Sequence, residues 1–103
     1  MREIQDLSDN IEDEIHDAKK YIKLALKYKE EKPDLAQRYF QLSTEEMGHM
    51  KILHDEAVKM INRYREQNGD PPPEMQVRYD YLHAAHIKQA SKVNYLQAMY
   101  KDG

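Results

Sequence analysis

Apolar residues recur three and four positions apart along most of the chain, with polar residues filling the positions between them. The first such line runs Ile4, Leu7, Ile11, Ala18, Tyr21, Ala25, Tyr28, and Glu14 stands where an apolar residue is due. The second runs Leu35, Tyr39, Leu42, Leu53, Met60, with Glu46 and His49 in its middle. A third runs Met75, Tyr79, Leu82, His86, Val93, Leu96, Tyr100. This spacing belongs to helices that bury one face, and no segment holds the period-two alternation of a strand. Two breaks interrupt the lines, one around Pro33 and one at Asn68-Gly69-Asp70-Pro71-Pro72-Pro73. Asp34 followed by Gln37 reads as a capping-box helix start. Gly69 suits the position just past a helix end, and the prolines behind it cannot continue a helix. The pattern predicts an all-α chain, a single domain over residues 1–103, with helices at about 3–30, 34–67 and 73–101.

Two long helices joined by a short turn form an antiparallel hairpin. Each is about 40–50 Å long at 1.5 Å per residue. Three such helices in 103 residues leave apolar surface uncovered, so a homodimer or higher homo-oligomer is the expectation.

The interruptions of the seams carry the candidate chemistry. A buried carboxylate must be paired, neutralised or bound to a cation. Glu14 lies 18 residues before Lys32, the centre of the hairpin turn, and Glu46 and His49 lie 14 and 17 residues after it. An antiparallel hairpin folds equal offsets to one level, so the three residues meet to within about one helical turn. Glu46-Met47-Gly48-His49 is a Glu-x-x-His motif, which projects a carboxylate and an imidazole from one helix face. Dinuclear carboxylate bundles use two single Glu residues and two such motifs. This chain carries one of each, which is half a site, and two-fold dimerisation supplies the other half. The donors suit Fe(II), two per dimer, or Mn(II). The competing reading is that the second helix rolls Met47 and Met50 inward and leaves Glu46 and His49 in solvent.

At this point the chain resembles the ferritin-like superfamily, in particular its small rubrerythrin-like and encapsulated-ferritin-like members. The resemblance rests on the segments 14–21, EIHDAKKY, and 42–50, LSTEEMGHM, and on 79–86, YDYLHAAH, and it spans nearly the whole chain. It implies a ferritin-like four-helix bundle completed by dimerisation. It also implies ferroxidase-type oxidoreductase chemistry, in which dioxygen or peroxide oxidises Fe(II). Glu46 would bridge two ions, His49 would be a terminal ligand, and Glu14 would bridge or cap. Rubrerythrins proper hold two Glu-x-x-His motifs per chain and a cysteine-bearing electron-transfer module. This chain has one motif and no cysteine, and it ends at Gly103 with no evident shell-targeting tail.

Other residues keep two readings. His54 either hydrogen-bonds a ligand or is a half-buried structural histidine. His83 and His86, three apart, are either an accessory metal or proton-transfer pair or packing residues. Tyr21 and Tyr39 lie on the seams, where a phenol serves a carboxylate or simply packs. Gly48 sits mid-helix at a cost of about 1 kcal/mol, which close approach of another helix would explain. Composition narrows the field further. Without cysteine there is no thiolate metal site or cysteine nucleophile. A net charge of −3 argues against nucleic acid as the partner. No apolar run is long enough to span a membrane, and no apolar stretch follows Met1, so a cytoplasmic protein is the expectation. The alternative to metal chemistry is a non-catalytic helical interaction protein whose Glu–His core network fixes register.

Overall fold

The computed structural model describes residues 2–103, which form three helices, α1 Arg2–Tyr28, α2 Pro33–Asn68 and α3 Pro73–Asp102. The rod-like molecule measures 56 × 18 × 18 Å. No helix among the described residues is long and apolar enough to cross a membrane. α1 and α2 form the expected hairpin, and α3 returns antiparallel to α2. Its direction is fixed by contacts at both ends: Arg65 Nη2 donates to Gln76 Oε1 at 2.9 Å, and the Phe40 and Tyr100 rings stack with centroids 4.7 Å apart.

The helix ends follow from local chemistry, with one correction. The capping box expected at Asp34 and Gln37 does not form. Pro33 is the first helical residue and Lys32 precedes it with no side-chain cap. A proline at that position has its φ already set and no N–H to satisfy, so the helix starts one residue early. Asp34 instead lies in the first turn, where the helix dipole favours an acid, and Gln37 Oε1 accepts a 3.2 Å hydrogen bond from the Tyr100 hydroxyl. At the far end Gly69 takes φ 76° and donates its N–H to the Arg65 carbonyl. Positive φ costs glycine little, which ends α2 where expected.

The buried seams are rotated from those read in the sequence. α1 buries Ile4, Ser8, Ile11, Ile15, Ala18, Ile22 and Ala25. Leu7, Glu14, Tyr21 and Tyr28 lie at the half-buried edge instead. α2 buries Ala36 and Ser43, one residue on from Leu35 and Leu42, which are 39% and 38% exposed. One residue is about 100° of helix rotation. Both helices turn the same way because α3 lies along one side of the hairpin and draws the core towards itself. The core is Ile11, Ile15, Ala18 and Val93, with Met47, Met50, Leu53 and Ala90 packed against it. On this side even the polar group is satisfied. The buried Ser43 hydroxyl donates to the Ala18 carbonyl at 2.8 Å and accepts from Gln97 Nε2 at 3.0 Å.

Candidate metal centre

The opposite side of the hairpin carries no third helix, and Glu14, Glu46 and His49 meet there. Glu14 comes from the middle of α1, and the other two from a single turn of α2. His49 Nδ1 stands 3.4 Å from Glu14 Oε2 and 3.9 Å from Glu46 Oε1. One donor atom from each lies within 4.8 Å of the others, a trio matched nowhere else among the described residues. Atoms bound to one ion at about 2.0–2.2 Å are at most about 4.4 Å apart, so a contraction of a few tenths of an ångström would close the trio.

Electrostatics show what the three groups do without a cation. The Glu46 carboxyl is raised from 4.5 to about 7. The first cause is its hydrogen bond with Glu14, followed by burial and the Glu14 charge, while His49 pulls the other way. Two carboxylates at this distance resist joint ionisation, so they share a proton. Yet Glu14 Oε2 is buried with no hydrogen-bond partner. A divalent cation would replace the shared proton and coordinate the orphaned oxygen, so the donor set fits such an ion. Asp17 adds a further negative charge that acts on Glu46. The apolar pattern does not flag it, although its place three residues after Glu14 puts it on the same helix face.

Both readings of α2 hold part of the answer. Met47 and Met50 do turn inward against the core, while Glu46 and His49 still converge with Glu14 on the other flank. Tyr21 and Tyr39 stack with centroids 6.2 Å apart, and Tyr28 stacks on Tyr39 at 6.3 Å. Tyr21 lies seven residues after Glu14 and Tyr39 seven before Glu46, so the tyrosine pair sits about 10 Å along the hairpin from the carboxylates. The other accessory candidates gather elsewhere. His54, His83 and His86 line a cavity between α2 and α3.

The site's surroundings are open. The side chains of Glu46, Glu14 and His49 are 19%, 26% and 57% exposed. Along the same flank run the half-exposed Leu42 and Leu35. Comparison with protein-family models, with characterised proteins and with solved structures finds no match to this chain.

Proposed function

We propose that this chain is one half of a dinuclear iron centre, completed when two copies join their open hairpin faces in a ferritin-like four-helix bundle. The observation that carries the reading is the convergence of Glu14, Glu46 and His49 within 4.8 Å on the flank that α3 leaves bare. Two copies supply four carboxylates and two imidazoles. The four negative charges balance two divalent ions, and oxygen and imidazole donors suit Fe(II) or Mn(II). The half-exposed Leu35 and Leu42 give the two faces apolar surface to bury against each other.

Fe(II) is then the substrate. Each of two ions gives one electron to dioxygen, and two protons complete hydrogen peroxide. Glu14 and Glu46 would hold the ions, their four charges in the dimer matching two divalent ions, and His49 would cap one ion per chain. Glu46 gives up its shared proton as a cation enters, so binding displaces acid.

The second reading, a helical interaction protein with a polar network, is favoured by the proton that Glu14 and Glu46 share. An anaerobic Fe(II) titration of metal-stripped protein separates the two. Saturation at about one iron per chain, lost in Glu46→Ala, is expected. No binding above background by an intact helical oligomer would leave the interaction protein as the reading.

A further inference from the structure

The three histidines on the other side of α2 form a second cluster, independent of the carboxylates. The His54 and His83 rings stack across α2 and α3 with centroids 5.4 Å apart. His86, one turn beyond His83, is close enough to both for their charges to act on it. The three line two adjoining cavities, of about 80 Å³ and about 160 Å³, whose other walls include Ile11, Met50 and Ile87. The smaller cavity also takes Tyr79, whose hydroxyl oxygen is buried with no hydrogen-bond partner. Among the described residues only one other buried side-chain atom is orphaned in this way, Glu14 Oε2 at the carboxylate centre.

We infer that His54, His83 and His86 form an inducible site for a divalent transition ion of intermediate softness, Zn2+ being the type, held by imidazoles alone and tying α3 to α2. Two imidazoles on one tetrahedral ion, with bonds of about 2.0–2.1 Å, place their ring centroids about 5 Å apart. The His54–His83 pair stands close to that separation, and its near-parallel rings, 25° apart, must turn before their nitrogens face one ion. His83 follows the i, i+3 rule with His86, so one turn of α3 offers two donors to an ion that α2 approaches with the third. His54 Nδ1 lies 3.7 Å from Asp55 Oδ1. Burial holds the His86 imidazole below its ordinary value, and Glu12 is the acid whose charge acts on it. A neutral imidazole is the ligand form. The trio is not closed without an ion, since three donors converge within 4.8 Å only at Glu14, Glu46 and His49 among the described residues. His83 is exposed and the His54 side chain is 37% exposed, so both rings are free to swing onto a cation. The Tyr79 hydroxyl, unpartnered in the smaller cavity, is a donor for a water held there.

The carboxylate centre is silenced first, with Glu14→Ala and Glu46→Ala together, and that protein is titrated with Zn2+ by calorimetry. One Zn2+ per chain is expected, with the thermal midpoint raised by several degrees. Adding His83→Ala should weaken binding about tenfold or more while helical content, read by circular dichroism, is unchanged. Zn2+ should move the NMR ring signals of His54, His83 and His86 and leave that of His16 in place. The site is refuted if the folded double variant takes up no Zn2+ or if His83→Ala leaves the affinity unchanged. Ring shifts confined to His16 or His49 would refute it too.

Discussion

The two flanks of the α1–α2 hairpin are built from the same heptads and finish differently. On the flank under α3, Ile22, Ala18 and Val93 are fully buried, and Ser43 has both a hydrogen-bond acceptor and a donor within the chain. On the bare flank the leucines stay half exposed, two carboxylates share a proton, and Glu14 Oε2 has no hydrogen-bond partner, only the His49 ring 3.4 Å away. Buried polar groups are normally satisfied, so an orphan needs an explanation. The covered flank teaches that this chain can satisfy a buried hydroxyl when its own helices suffice. That contrast is what the proposed cation and second copy would resolve on the bare flank.

The largest effect expected from breaking this contrast comes from truncating one leucine-sized side chain on each flank. Ile22→Ala opens a cavity where nothing can collapse into it, and a cost of about 2–5 kcal/mol follows. Urea unfolding should show that loss at every protein concentration. Leu42→Ala removes a side chain that is already 38% exposed, so the isolated chain loses much less. Its loss should appear instead as a lower sedimentation coefficient, because the proposed dimer face has been trimmed. If the two variants lose equal stability and leave the assembly state alone, the flanks are not different in kind.

Next in size is the pH response of the bare flank. The Glu46 carboxyl titrates near 7 when folded, against an ordinary value of 4.5. Between those values the folded chain holds a proton that the unfolded chain has released, so this group's stabilising contribution falls as pH rises. It is complete below about 4.5 and gone above about 7. Metal-free protein should therefore lose thermal midpoint from pH 5 to pH 7.5, and Glu46→Gln should flatten that slope. With Mn(II) present the wild-type slope should turn upward over the same window, because binding requires the carboxylate. Parallel slopes with and without Mn(II) would separate the shared proton from cation binding.

How much of this was legible in the sequence differs between the flanks for a physical reason. Helix number, hairpin topology and the level at which Glu14 meets Glu46 and His49 depend on period and offset, which a single chain displays. The roll of α1 and α2 depends on which side α3 chooses. Leu7 and Ser8, or Leu42 and Ser43, are equally placed until that choice is made, and a seam pattern prefers the leucine. α3 chooses the side where serine and alanine let it approach. That same choice leaves Leu35 and Leu42 outside and separates His54 from the carboxylates, five residues after His49 but on the other flank. α2 starts at Pro33, one residue before the Asp34–Gln37 signal, for a local reason. The Asp34–Gln37 signal competed with a proline that already held the first helical position.

The smallest expected effect tests whether the bare flank extends round α2 to Gly48. Close approach of another helix was one explanation for a glycine there. Within the chain none exists, since a Cβ built on Gly48 meets nothing within 4 Å. Gly48 is exposed, and at 100° per residue it points about 160° from Glu46, away from the face that carries the ligands. Alanine there should recover much of glycine's helix penalty, about 0.5–1 kcal/mol. Gly48→Ala is thus expected to raise the urea midpoint slightly while leaving sedimentation and iron stoichiometry unchanged. A variant that is more helical but no longer assembles would mean that the partner's backbone passes over Gly48. The docking face would then be wider than the stripe from Leu35 to His49, and the glycine would be a device for close approach between copies and not a tolerated weakness of one helix.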